Sequence, residues 1–470
     1  MTLRIRALIA ALIVVAVAAA GTLYIRQRAV ASAGPKGVDV AMNGGLADVL
    51  GQPPPDGPQL ARMAVRDLQE VYYKPVDGAV VVKGESDSLR DFLRTKHVAN
   101  ATLANDAAGS DEDRAAETLT GAQDRYASSL GPDGRNQLSE AALRGIMSSM
   151  NDPYTVFLSA REIQGLNESL SGGNFGGIGV YIYQLKDGRV LVQPIEELPA
   201  ARAGMKPGEV VDTVDGTLVR GLALDRVEQL IRGVTGSTVR ITAHQYNAPK
   251  AERTFNVTRE IIHVPSVRAK MEDGYDYIRL SDFGQTSAEE VRKALVDGEQ
   301  HHAKGYIFDL RDNGGGLVTA ATQISSLFVA QGPIVSTIQR DGQKTTDSAL
   351  GDQLPGLHPV VVLVNKYTAS ASEITAGALQ DYHLATILGT KTFGKGVVQT
   401  IIPLGGANAP LGAFKITTAR YVTPLGRDIQ HRGIMPDVVV NQSVDPALID
   451  TPNDKQLAAA KAKLRALSQR

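Results

Sequence analysis

The chain contains no cysteine. Disulfide bonds, thiol nucleophiles and cysteine-ligated zinc fingers are therefore excluded. An excess of either charge is also absent, since 49 basic and 50 acidic residues leave a formal net charge of −1. Such a chain has no bulk electrostatic attraction for nucleic acid, and no nucleic-acid partner is expected. The G-x-S-x-G turn of α/β-hydrolases and the H-E-x-x-H helix of zinc proteases are missing too. No metal or cofactor is expected.

A long apolar run lies at the N-terminus. Ala7–Ile25 carries no charge and has arginines on both flanks. About 20 apolar residues span a bilayer, so residues 1–28 are predicted to be a signal peptide or a signal anchor. Arginines directly after the run favour an uncleaved anchor, while Ala29-Val30-Ala31 offers a cleavage site for the alternative. The bulk of the chain is predicted to be exported, behind a flexible linker at 29–58 that is rich in Gly, Pro and Ala.

A helical region is predicted at 59–170. Gln59–Tyr73 has apolar residues at helical spacing and ends before a proline. A second helix is predicted over Ser139–Met150, with Ser139 as its N-cap. Between them, residues 78–136 form a polar insert, interpreted as helical or partly disordered. A lid or a docking surface for a partner is the functional alternative.

A strand, a turn and a helix are predicted around a serine. Val360–Val364 is an apolar, β-branched run, and a helical pattern begins after Ser370. At the first turn of a helix, free N–H groups and the positive end of the helix dipole face any oxyanion that forms. Ser370 is therefore a candidate nucleophile; a serine that only caps the helix is the alternative.

A lysine is the candidate base. Lys395 stands between two glycines, with strand patterns on both sides. Lysine can accept a proton when burial lowers its pKa. Gln399, four residues on, would share a strand face with Lys395 and orient its amine. A solvated loop lysine is the alternative. Gly389–Gly396 also matches the core of a phosphate-binding loop, but the serine or threonine that holds magnesium is missing and a strand pattern follows.

The segments TASASE, with Ser370, and FGKGVVQ, with Lys395, resemble the catalytic signature of the C-terminal processing (tail-specific) serine proteases. The two residues are 25 positions apart, and the resemblance extends from about Leu60 to Val440. It implies that Ser370 is the nucleophile, Lys395 the general base and Gln399 the residue that orients the lysine. It also implies a supporting acid at Asp381.

Three consecutive glycines follow a predicted strand at Tyr306–Leu310. Glycines present backbone amides with no side chain in the way, as an oxyanion hole requires. The same resemblance implies that Gly315 or Gly316 forms this hole together with Ala371. A glycine-rich connecting loop is the alternative. Further strands, at Ala413–Tyr421 and Val438–Val440, are predicted to complete the mixed sheet of this domain.

Residues 172–260 begin with a glycine-rich run, and short strands and one helix follow. This segment resembles a PDZ domain. The resemblance implies a loop whose N–H groups bind the terminal carboxylate of a peptide, which adds a strand to the sheet. The residues that map to this loop are Gly177, Ile178, Gly179 and Val180.

The predicted fold class is α+β and multidomain. After the anchor and the helical part come the PDZ domain, a mixed α/β (crotonase- or Clp-like) serine protease domain at 261–445 and a helical tail at 446–470. The predicted function is a serine endopeptidase with a Ser-Lys dyad, anchored in the bacterial inner membrane with its catalytic part in the periplasm. It would cleave protein substrates bound by their C-terminal tails. A catalytically silent PDZ scaffold is the alternative, and a homo-oligomer or an adaptor protein is left open.

Overall fold

The computed structural model describes residues 55–98, 101–103, 109–170, 175–354, 356, 359–406, 409–442 and 448–468. Its α-helices are α1 (Gly57–Val71), α2 (Gly78–Thr95), α3 (Asp111–Tyr126), α4 (Gly134–Ser148), α5 (Ala160–Leu170), α6 (Pro199–Arg202), α7 (Leu224–Ile231), α8 (Ser287–Gln300), α9 (Val318–Ser326), α10 (Ala371–Asp381) and α11 (Lys455–Ser468). Its strands are β1 (Val156–Leu158), β2 (Phe175–Gly177), β3 (Val180–Gln184), β4 (Val190–Pro194), β5 (Glu209–Val214), β6 (Thr217–Leu218), β7 (Thr238–Gln245), β8 (Ala248–Thr258), β9 (Glu260–Ile262), β10 (Val267–Glu272), β11 (Tyr275–Leu280), β12 (Tyr306–Asp309), β13 (Pro333–Gln339), β14 (Lys344–Ser348), β15 (Val360–Val364), β16 (Ala385–Gly389), β17 (Val397–Gly406), β18 (Ala409–Val422) and β19 (Val438–Val439).

The predicted anchor at 1–28 and nearly all of the predicted linker at 29–58 lie outside the described residues. Within the described ranges, no helix combines the length and the apolar character that a membrane crossing needs.

The chain divides into two compact units. The first comprises the described parts of Met1–Ala160, Val329–Asp352 and Gly394–Ile434. The second comprises those of Arg161–Phe328, Gln353–Phe393 and Met435–Arg470. The predicted domain ranges are contiguous and these units are not, since parts of 261–445 cluster with the N-terminal helices.

The first unit packs helices α1–α4 against an antiparallel sheet. Strand β18 is central: β17 pairs along one edge, β1 and β13 pair with the other, and β14 lies beyond β13. Apolar side chains of the helices form one core with Leu404, Phe414 and Ile416 of the sheet. One face of the sheet is thereby covered by helices.

Helix α4 begins earlier than predicted. Asp133 precedes its first residue, so the predicted N-cap Ser139 is wrong: it lies inside the helix, and its hydroxyl donates to the Arg135 carbonyl at 2.9 Å. The additional turn places Leu138 in the core, where it is fully buried. Burial of an apolar side chain thus extends the helix past a serine that resembles a cap.

The polar insert at 78–136 contributes to the core. Helices α2 and α3 fall within it, and Val81, Leu89 and Leu119 are fully buried there. Its polar residues occupy the outward faces of amphipathic helices.

The second unit contains a six-stranded sheet in the order β10-β11-β12-β15-β16-β19. The strands are parallel except for β10, which is antiparallel at one edge. The predicted strand Val438–Val440 joins this sheet as β19. The prediction that Ala413–Tyr421 also joins it is wrong, because that segment lies in β18 of the first unit. Alternation identifies a strand from local sequence, but its partner is set by contacts distant in sequence.

A second sheet in this unit has the order β3-β4-β5-β7-β8, with β6 beside β5. All its pairs are antiparallel, and helix α7 contributes Val227 and Ile231 to its core. Strands β2 and β9 pair with each other, so the two ends of the segment between them lie side by side.

Candidate active site

Ser370 lies directly before α10, as the sequence predicts. Its backbone has φ 57° and ψ −119°, a conformation that a residue with a Cβ rarely adopts. Its N–H donates to the Glu373 carboxylate at 2.9 Å, and its carbonyl accepts the Glu373 N–H at 2.8 Å. A strained residue at a helix start, held by surrounding contacts, is typical of a functional position.

Glu373 is a site residue that the sequence interpretation missed. Its side chain is fully buried, and its second carboxylate oxygen accepts the Thr392 hydroxyl at 2.5 Å. The available signal is the spacing Ser-x-x-Glu, in which a glutamate at the third helical position binds the N–H of the residue before the helix.

Asn313 ties the glycine loop to the serine segment. It is fully buried, and its side-chain oxygen accepts the Gly315 N–H at 2.8 Å. Its backbone carbonyl accepts the Ala369 N–H and the Ser372 hydroxyl, both at 3.0 Å. The sequence interpretation also missed this residue, which directly precedes the three consecutive glycines. Its contacts hold both backbone segments in one arrangement.

Gly315 makes the closest approach between these two segments. Its φ is 99°, and a Cβ on it would lie 2.8 Å from the Ala369 carbonyl oxygen and from the Ala371 nitrogen. Neither atom belongs to a flexible side chain, so no larger residue fits. A Cβ on Gly314 would meet nothing within 4 Å. The position of Gly314 is therefore sterically open.

The three candidate amides differ in their hydrogen bonds. Gly315 donates its N–H to Asn313. Across the described part of the chain, the N–H groups of Gly316 and Ala371 have no acceptor. Only Gly316 and Ala371 therefore present an available donor.

Lys395 belongs to the first unit, whereas Ser370 belongs to the second. The lysine is half-buried just before β17, and its Nζ lies 4.7 Å from the centre of the Tyr154 ring. Its carbonyl accepts the Tyr421 hydroxyl, and the next N–H donates to Gln430 at 2.7 Å. The backbone of the lysine is thus anchored on both sides.

Gln399 is buried, but the geometric reason given for its position is wrong. Lys395 precedes β17, and the pairing of β17 with β18 shifts register between Val398 and Gln399. Strand alternation therefore does not carry from Lys395 to Gln399. The side-chain nitrogen of Gln399 lies 3.4 Å from the Val397 carbonyl oxygen and 3.5 Å from the Thr417 hydroxyl oxygen.

Asp381 is not brought beside Ser370. It is the last of the 11 residues of α10, and Ser370 precedes the first. At 1.5 Å per residue the helix separates them by about 16 Å.

The phosphate-loop alternative finds no support in the fold. A phosphate loop leads into a helix, whereas Gly389–Gly396 leads into β17. In the part of the chain that the structure describes, no group of three or more His, Cys, Asp or Glu side chains is arranged to hold a metal ion.

The predicted carboxylate loop lies between β2 and β3. Gly179 has φ 71°, a backbone conformation that favours glycine. Ile178 is buried, and Val180 begins β3 at the edge of its sheet. The carbonyls of Ile178 and Gly179 accept hydrogen bonds, but their N–H groups have no acceptor among the described residues.

Residues 274–440 match the family described as peptidase family S41. The chain is 38% identical, over 312 residues, to a carboxy-terminal-processing protease of Bartonella bacilliformis; the match covers 65% of this chain and 70% of that protein. It is also 38% identical, over 329 residues, to a carboxyl-terminal-processing protease of a Picosynechococcus species, with coverage of 68% and 77%. A similar solved structure is a photosystem II D1 C-terminal processing protease, at 27% identity and a TM-score of 0.46, covering 88% of this chain and 97% of that one.

Proposed function

The chain belongs to peptidase family S41 and is a carboxy-terminal-processing serine peptidase, and on that basis we propose that Ser370 is its nucleophile and Lys395 its general base. The observation that carries the proposal is the position of Ser370. Its strained backbone lies at a helix start, and in the described part of the chain the Gly316 amide of the glycine loop beside it has no acceptor. The 25-residue spacing from TASASE to FGKGVVQ supports Lys395 as its partner.

In the proposed reaction, neutral Lys395 accepts the proton of the Ser370 hydroxyl as the oxygen attacks a peptide carbonyl. Gln399 orients the amine. Lys395 then protonates the leaving amine, and water hydrolyses the acyl-enzyme. Because protonation of the lysine blocks the first step, the rate of this reaction falls as the pH falls through the pKa of Lys395.

The oxyanion is assigned to the N–H groups of Gly316 and Ala371. Both donors are unpaired within the described residues, whereas Gly315 donates its N–H to the Asn313 side chain. In this assignment Gly315 allows the close approach of two backbones, and Gly316 supplies the donor. Preorganised amides stabilise the charge that develops on the carbonyl oxygen.

We assign substrate capture to the loop Gly177–Val180 of a PDZ domain. Carboxylate binding is supported by the N–H groups of Ile178 and Gly179, which have no acceptor among the described residues, and β3 lies at a sheet edge to which a peptide strand can add. The substrates would be exported proteins, bound by their C-terminal tails.

Anchoring in a bacterial inner membrane, with the catalytic part in the periplasm, rests on the sequence of residues 1–28. The apolar run Ala7–Ile25 and its flanking arginines support it.

The test is cleavage of an unfolded protein that carries a fluorophore at its C-terminus, by the full chain and its variants. Ser370→Ala and Lys395→Ala are expected to abolish cleavage while the circular dichroism spectrum is unchanged. Lys391→Ala is the matched control, because this exposed lysine belongs to the same loop. Undiminished turnover by either active-site variant contradicts the dyad. Tail binding by a wild-type chain that never cleaves is the result expected of the silent scaffold.

A further inference from the structure

A line of buried polar groups leads to Gln399 from the turn before β1. The Thr155 hydroxyl donates to the Asp152 carboxylate at 2.8 Å. The same hydroxyl oxygen accepts the Thr417 N–H at 3.1 Å and lies 3.4 Å from the Thr417 hydroxyl oxygen. The Thr417 hydroxyl in turn lies 3.5 Å from the Gln399 amide nitrogen. We refer to Asp152, Thr155 and Thr417 as the β1–β18 relay.

Burial makes this arrangement informative. Thr155, Thr417 and Gln399 are 1%, 0% and 5% exposed. A buried polar group costs stability unless it is hydrogen-bonded, and apolar side chains of similar size would fill the same space without that cost. Three such groups in contact with one another therefore point to a role beyond packing.

The contacts of Gln399 decide which end of its amide faces the relay. The group opposite the Val397 carbonyl oxygen has to be the amide nitrogen, because a carbonyl only accepts. The second contact of that nitrogen is the Thr417 hydroxyl. With its nitrogen facing Val397 and Thr417, the amide has its oxygen on the side away from the Thr417 hydroxyl.

The same turn also reaches Lys395. Asp152 accepts the Tyr154 N–H at 3.0 Å, and the Tyr154 ring is the surface over which the lysine amine lies. One carboxylate thus fixes both the tyrosine that contacts the lysine and the threonine that leads to the glutamine.

We propose that the β1–β18 relay positions the Gln399 amide, with Thr417 as the positioning residue that contacts it, so that the amide oxygen is presented to Lys395. This inference rests on the proposed function, in which Lys395 is the base. The relay touches neither substrate nor reacting atoms and acts only through the glutamine.

The test compares threonine variants of β18 in the full chain. Thr417→Val keeps the shape of the side chain and removes the hydroxyl. It is expected to lower kcat about tenfold with KM unchanged, because orientation of the base matters after substrate has bound. Thr417→Ser restores the hydroxyl and is expected to restore kcat. Thr418→Val is the matched control: Thr418 is the next residue of the strand, and its hydroxyl pairs at 2.9 Å with Thr400 in an exposed position.

A double-mutant cycle separates positioning from structure. If the relay acts through Gln399, then Thr417→Val has no further effect on kcat in a Gln399→Ala background. Additive losses, or a Thr417→Val variant as active as wild type while Lys395→Ala is inactive, overturn the inference and leave the dyad standing. An active Lys395→Ala variant overturns both. Should Thr417→Val fail to fold, Thr155→Val removes the preceding hydroxyl and carries the same cycle.

Discussion

The carboxylate of Glu373 holds the backbone N–H of Ser370 at 2.9 Å. Its other oxygen holds the Thr392 hydroxyl at 2.5 Å, and the glutamate is fully buried. One side chain therefore fixes both the strained turn at the serine and the segment that leads to Gly394 and Lys395 in sequence. Glu373 accepts the backbone N–H of Ser370, not its hydroxyl proton, which Lys395 accepts in the proposed reaction.

Replacement of Glu373 tests this role. Glu373→Ala leaves the Ser370 N–H and the Thr392 hydroxyl without their acceptor, so kcat is expected to fall at least about tenfold. Glu373→Gln is expected to retain more activity, because its amide oxygen still accepts from Ser370 and its nitrogen donates to Thr392. Glu289→Ala, which removes an exposed first-turn glutamate from α8, is the control. Equal activities of the two Glu373 variants would contradict the role. Steady-state kinetics decide the order.

The glycine loop provides a pair of adjacent substitutions. Gly315→Ala forces a Cβ to within 2.8 Å of backbone atoms of the serine segment, at a φ of 99°. It is expected to abolish cleavage and to lower the melting temperature. Gly314→Ala enters open space and is expected to behave as wild type. An active Gly315→Ala variant would show that the two backbones separate freely, which is incompatible with a preformed oxyanion hole. Activity and thermal denaturation are measured on both.

The buried carboxyl of Asp276 is expected to make the stability of the fold depend on pH. Burial, with a smaller contribution from the Asp297 charge, raises the pKa of Asp276 to about 6. Between about pH 4 and pH 6 the folded chain therefore holds a proton that the unfolded chain has lost. The stability that this carboxyl contributes below pH 4 is lost as the pH rises through 6.

Relative to Asp276→Asn, wild type is expected to lose about 1–3 kcal/mol in the free energy of unfolding between pH 4 and pH 7. Urea denaturation across this range measures the difference. The exposed Asp341→Asn serves as the control and should show no such trend. A constant difference between wild type and Asp276→Asn would refute the raised pKa.

Replacement of the buried Glu85 by an apolar residue is expected to stabilise the fold. It is fully buried in the helical core, and among the described residues neither of its carboxylate oxygens has a hydrogen-bond partner. Burial raises the pKa of Glu85 well above its usual range. The stability that the protonated carboxyl contributes at lower pH is therefore lost as the pH rises through this raised pKa. Glu85→Met is expected to increase the free energy of unfolding by about 1–3 kcal/mol at pH 7. The exposed Glu117→Met on α3 is the control in the same denaturation experiment; a destabilised Glu85→Met would contradict the prediction.

Local patterns predicted much of the second unit. The bounds of β15 agree residue for residue with the predicted segment, β12 ends one residue before its predicted end at Leu310, and Ser370 precedes its helix as expected. These elements are specified within the window that forms them: β-branched runs for the strands and a 3.6-residue period for the helix. Small residues after a buried strand likewise identified the helix start at the serine.

The contacts of the candidate site were less predictable. Asn313 lies more than fifty positions before the serine segment that it holds, and Thr155 bonds to Thr417 across 262 positions. Alternation failed for Gln399 because a register shift in β17 breaks the period of two. The sequence interpretation also assigned Ala413–Tyr421 to the wrong sheet, because the partner of a strand is set by contacts distant in sequence.

The sequence by itself determined the strand before Ser370 and the helix start at Ser370, because these elements depend on neighbours within a few positions, and it supplied the residues proposed to carry the chemistry. Tertiary structure alone decided which amides remain available, which residue holds the glycine loop against the serine segment and which strand lies beside Gln399. Those outcomes depend on backbone segments that meet only after the chain has folded, since hydrogen bonds reach no further than about 3.5 Å.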